Sequence, residues 1–135
     1  MNPMKNPANL PLPRVIVVDD DAAVRNSLKF SLEIEGFEVH AYARGTDLLD
    51  ARDVCIGSCL VIDQKMPGMA GLDLIAALRD RHVSASAILI TSHPNAAVRE
   101  RAAQVSVPII EKPLLGNALV DRIRDAFAEG NQTHS

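Results

Sequence analysis

Four short apolar runs in this chain each lead into a residue that can do chemistry. Residues 15–18 (VIVV) lead into Asp19, Asp20 and Asp21, and residues 59–62 (CLVI) lead into Asp63. Residues 87–90 (AILI) lead into Thr91, and residues 107–110 (VPII) lead into Glu111 and Lys112. If these ends meet, several carboxylates are crowded beside one ammonium and one hydroxyl. Crowded carboxylates repel each other and raise their own pKa values unless a cation compensates. Oxygen donors select Mg²⁺ or Ca²⁺ rather than zinc. Magnesium keeps positions open for water and phosphate oxygens, and one carboxylate of such a set can serve as the nucleophile. That combination is what phosphoryl transfer requires.

The elements that must position these residues follow from hydrophobic period. Five strands are predicted, at residues 15–18, 37–41, 59–62, 87–90 and 107–110, alternating with stretches of helical spacing. Asp21 is the predicted cap of a first helix carrying Val24, Leu28 and Leu32 and closed by Gly36, and Thr46 the predicted cap of a second. A third helix is predicted after Gly71 with Leu72 and Ile75, a fourth near Asn95 with Val98 and Ala102 on one face, and a fifth near Asn117 with Val120, Ile123 and Phe127. This is a (βα)₅ pattern of the α/β class, a parallel sheet covered on both faces. In doubly wound sheets ligands bind outside the carboxyl ends of the strands, where the strand order reverses. The predicted reactive residues all stand at such ends.

Composition narrows the alternatives. The chain has 135 residues, the size of one domain, and only 3% are aromatic, so the core must be built from Val, Ile, Leu and Ala. The formal charge is −3 and the basic residues are dispersed, which argues against direct DNA binding. No apolar run is long enough to cross a bilayer and no secretory signal is visible, so a cytoplasmic protein without membrane contact is expected. Cys55 and Cys59 lack the partners of a zinc site or a disulfide scaffold and read as reduced, small apolar residues. Residues 1–13, rich in proline and asparagine, read as a flexible leader, 14–129 as the domain, and 130–135 as a tail too short for an output module.

The motifs VIVVDDD (15–21), LVIDQKMPGMAGLDLI (60–75), LITS (89–92) and IIEKP (109–113) together resemble the receiver domain of two-component response regulators, of the CheY-like superfamily. Asp-Asp-Asp-x-x-Val-Arg and Thr-x-His resemble the FixJ-like subgroup. The resemblance implies a five-stranded parallel sheet in the order 2-1-3-4-5. It implies Asp63 as phospho-acceptor, Asp20 as a direct Mg²⁺ ligand, Asp19 acting on the metal through water, and Lys65 contributing its backbone carbonyl. Thr91 would hydrogen-bond a phosphoryl oxygen, and Lys112 would neutralise phosphoryl charge, with a cis peptide into Pro113. The implied partners are a sensor histidine kinase or phosphotransfer protein and a downstream protein, the chain being a monomer or a phosphorylation-dependent dimer.

Plainer readings stand beside these. Asp21 reads as a helix cap alone, and His93 as a solvated loop histidine. The chain also departs from the family pattern: Ile109 stands where many receivers carry an aromatic switch residue, Val105 where glycine is common, and the span from Thr91 to Lys112 is about one residue short. These departures motivate an alternative, a pseudo-receiver that binds its partner regardless of phosphorylation. A haloacid-dehalogenase-type phosphatase is excluded by Lys65, since that family needs an Asp two residues after the nucleophile. A switch rather than a turnover enzyme is expected.

Overall fold

The computed structural model describes residues 12–114 and 116–132, with the side chains of 130–132 excepted. Most of the predicted leader and the last three residues of the predicted tail lie outside the described residues. Strand β1 (Arg14–Val18) is followed by α1 (Ala22–Ile34), β2 (Glu38–Tyr42), α2 (Gly45–Asp50) and a 3₁₀ turn (Arg52–Cys55). Then come β3 (Cys59–Asp63), α3 (Gly71–Asp80), β4 (Ser86–Thr91), α4 (Ala96–Gln104), β5 (Ile109–Glu111) and α5 (Ala118–Gln132). All pairings are parallel and the strand order is β2-β1-β3-β4-β5, as expected from the sequence.

Successive side chains of a strand point to opposite faces, and here both faces are dry. Ile16, Val18, Leu60, Ile62 and Leu89 pack with Leu72, Leu74, Ile75 and Leu78 of α3 and Leu48 of α2. Val15, Val17, Val61, Ile88 and Ile90 face the other way, against Leu28 and Leu32 of α1 and Leu119 and Ile123 of α5. A one-residue slip of β1 or β3 would exchange these two sets and turn the acids at the strand ends to the opposite face. The stacked rings of Phe37 and Phe127, 6.2 Å apart, tie α5 to the α1–β2 corner, and Arg124 lies over Phe37 while pairing with Glu35 at 3.0 Å.

Local chemistry accounts for the boundaries, including those the sequence misplaced. Asp21 caps α1, its carboxylate accepting the N–H groups of Ala23 and Val24, and Asn95 caps α4 by accepting from Val98. Strand β2 starts one residue after its predicted Phe37, because the Phe37 N–H is already donated to Leu32 O at the end of α1. Strand β5 starts at Ile109 rather than Val107, since Pro108 between them has no N–H to give the ladder. Thr46 is not a cap: α2 begins at Gly45 after an extended Arg44 and has no side-chain cap. There Gly45 is pressed against Met69 and Leu74, where a Cβ would come within 3.2 Å of the Met69 sulfur. Helix α5 runs three residues beyond position 129, through Gly130 to Gln132. Among the described residues no helix is long and apolar enough to cross a membrane.

Candidate functional site

The chain passes from β1 outward to β2 and returns across to β3, so the strand order reverses between β1 and β3. Asp19 directly follows β1 and Asp63 ends β3, placing both at that reversal. Asp19, Asp20 and Asp63 each offer a carboxylate oxygen within 4.8 Å of the others. Asp19 and Asp63 are buried, Asp20 is exposed at the mouth. Lys112, directly after β5, reaches across β4: its Nζ lies 3.2 Å from Asp19 Oδ2 and 3.3 Å from Asp63 Oδ1. Its peptide bond to Pro113 is cis, as the resemblance implied. Thr91 ends β4 fully buried, its hydroxyl donating to Ser92 O at 3.3 Å, and its carbonyl accepts the Lys112 N–H at 2.9 Å.

The loop after β1 is held from several sides. Asp19 Oδ1 accepts the Asp21 N–H at 2.9 Å, and Arg25 Nη1 donates to the Asp19 carbonyl at 2.8 Å. The loop after β3 closes differently. Ala70 precedes α3 with no side chain able to cap it, and the cap comes instead from Gln64, whose Oε1 accepts the Leu72 N–H at 2.9 Å. Helix α3 then sits so close to the acceptor strand that a Cβ on Gly71 would fall 2.6 Å from the Asp63 carbonyl oxygen. Neither Arg25 nor Gln64 was singled out as a site residue from the sequence. The absence of a capping side chain at Ala70 was the signal available for Gln64.

Electrostatically the site is short of positive charge. Burial raises the Asp63 carboxyl above its ordinary range, the Asp19 charge pushes the same way, and Lys112 offsets only part of this. Burial works against the Lys112 charge, but Asp63 and Asp19 outweigh it and hold the ammonium above its usual value. Three carboxylates against one ammonium, all with oxygen donors, fit a hard divalent cation. Lys65 and His93 are exposed on the two loops beside this mouth, His93 with φ 48°. Ile109 is half-buried and packs on the α3 side of the sheet. Cys55 and Cys59 are free, buried thiols pushed up to about 11 and about 12 by burial, in keeping with their reading as inert core residues.

Sheet order and site together define a doubly wound, flavodoxin-like protein with a carboxylate cluster compatible with metal binding at its switch point. Residues 15–124 match the response regulator receiver domain, and the chain belongs to that family. It is 34% identical over 119 residues to the transcriptional regulatory protein FixJ of Azorhizobium caulinodans, covering 87% of this chain and 55% of that protein. The crystal structure of FixJ-N superposes with a TM-score of 0.77 at 32% identity, covering 86% of this chain and 94% of that one. The response regulator StyR superposes with a TM-score of 0.81 at 33% identity, covering 91% and 64%. These likenesses agree with the FixJ-like subgroup. The chain spans about half the length of the curated relatives it matches.

Proposed function

We propose that the chain is a Mg²⁺-dependent phosphorylation switch in which Asp63 accepts a phosphoryl group from the phosphohistidine of a sensor histidine kinase or phosphotransfer protein. The observation carrying this reading is that the Lys112 ammonium lies 3.2–3.3 Å from two carboxylates at the ends of different strands, Asp19 after β1 and Asp63 on β3. In the transfer an Asp63 oxygen attacks phosphorus, the O–P bond forms, the P–N bond breaks, and the imidazole nitrogen keeps the electron pair. Asp20, Asp63 and the Lys65 backbone carbonyl would hold the metal, with Asp19 acting through water. Bound Mg²⁺ supplies positive charge for the phosphoryl oxygens. Lys112 neutralises a further oxygen, and the Thr91 hydroxyl turns from Ser92 O to donate to the phosphoryl group.

Phosphorylation then alters the binding preferences of the α4–β5–α5 face, so the output is a protein–protein interaction in the cytoplasm rather than direct DNA contact. The chain acts as a switch and not as a turnover enzyme, as a monomer or a phosphorylation-dependent dimer. The assembled acid–lysine set gives no support to the phosphorylation-independent alternative. Incubation with a small phosphodonor and Mg²⁺ is expected to add one phosphoryl mass to the wild type and none to Asp63→Ala. Unchanged labelling of Asp63→Ala would overturn the assignment.

A further inference from the structure

We propose that Gln64 is a positioning residue for the metal-binding loop, clamping both ends of the segment that carries Lys65. Residues 64–71 leave β3 and re-enter α3 within one short excursion. The Gln64 backbone N–H donates to Ile90 O at 3.0 Å, anchoring the loop's start to β4. The Gln64 carbonyl accepts the Gly71 N–H at 3.0 Å, and its side-chain Oε1 accepts the Leu72 N–H at 2.9 Å. One residue is thus bonded to the neighbouring strand and, twice, to the first turn of the next helix.

Two parallel bonds from one residue to successive amides fix orientation as well as distance, where the backbone bond alone would act as a hinge. The first turn of α3 cannot shift toward the strand to compensate, since a Cβ at Gly71 would already fall 2.6 Å from the Asp63 carbonyl oxygen. The Lys65 carbonyl, one peptide beyond Gln64, therefore inherits its direction from this clamp. A cap at position 70 would satisfy the same helix end without touching the start of the loop. Ala70 already has the extended backbone of a cap residue, φ −69° and ψ 158°, so a serine there needs no change of backbone conformation.

The inference rests on the proposed metal role of the Lys65 carbonyl, and the experiment separates the two. Mg²⁺ is titrated into ¹⁵N-labelled protein and the amide shifts are followed for wild type, Gln64→Ala, Ala70→Ser and the double variant, with thermal melts of each without metal. Gln64→Ala is expected to weaken Mg²⁺ about tenfold, the scale of losing a residue that orients a metal ligand. It should also lower Tm by about 3 °C through the lost helix cap. In the double variant the added Ala70→Ser change restores Tm, while Mg²⁺ affinity stays low. Undiminished affinity in Gln64→Ala, or full recovery of affinity in the double variant, would overturn the positioning role and leave Gln64 a helix cap. Absence of Mg²⁺ binding by wild type would overturn the site reading and this inference with it.

Discussion

Asp63→Asn should stabilise the metal-free protein at neutral pH. Asp63 stands within 4.8 Å of the Asp19 carboxylate, a repulsion of about 3.5 kcal/mol at an effective dielectric constant of 20. Lys112 at 3.3 Å returns about 5 kcal/mol on the same scale. The exposed Asp20 adds a second, more strongly screened repulsion, so the pairwise terms nearly cancel. What remains is the burial of the charge, about 1–3 kcal/mol for a carboxylate beside the pocket mouth. At about 3 °C per kcal/mol in a domain of this size, Tm should rise by about 3–9 °C.

The pH dependence has a fixed sign. Because the folded-state pKa of Asp63 is raised, the native protein binds more protons than the unfolded chain between the ordinary carboxylate value and the raised one. Wild-type stability from this group is complete below that window and is lost as pH rises through it. The advantage of the Asp63→Asn variant should therefore vanish in acid and be full at neutral pH. Saturating Mg²⁺ should narrow the gap, since a cation that binds the native wild type raises its Tm more than the variant's. Calorimetric melts across pH, in chelator and in Mg²⁺, measure all three effects. A variant less stable than wild type in chelator at pH 7, or a difference independent of pH, would refute the reasoning.

Gly71→Ala is expected to cost at least about 2 kcal/mol in a denaturant titration, because the new methyl must displace the Asp63 carbonyl or Leu89; a cost within 0.5 kcal/mol (roughly the range of neutral surface changes) would show that the backbone relaxes freely. Exchanging Lys65 and His93, both exposed beside the pocket, should change the lifetime of the aspartyl phosphate while leaving Mg²⁺ affinity little altered, and equal half-lives in the double variant would argue against a role in water access. The Cys55 and Cys59 thiols should be inert to a thiol reagent in the folded protein and react on unfolding; rapid modification of the native state would contradict their burial.

Strands β1, β3, β4 and β5 were legible in the sequence because each run is short, largely apolar and followed by a polar residue, whereas β2 carries Glu38 and His40 among its apolar positions. The boundaries were harder to read. The starts of β2 and β5 depend on how Phe37 and Pro108 use or lack a single N–H, and the start of α2 on the contact of Gly45 with Met69 and Leu74, none of which shows in hydrophobic period. In the site, the convergence of Asp19, Asp63, Thr91 and Lys112 follows directly from strand-end placement, and Asp21 is the helix cap it was read to be. The hydrogen bonds that set the acids apart were hidden. That Asp19 turns inward to share Lys112 with Asp63 while Asp20 is exposed depends on the turn held by Arg25. At the end of α4 the left-handed residue is Ser106, with φ 59°, one place beyond Val105.

Strand β5 has three residues, none fully buried, and forms one border of the sheet, whereas β1 and β3 are central and dry. The counter-charge of the pocket thus rides on the member held by the fewest neighbours, and the acids on the members held by the most. Fraying at a border needs less free energy than opening the centre. Displacing that border strand would take the ammonium away from Asp19 and Asp63 and leave two buried carboxylates facing each other without their counter-charge.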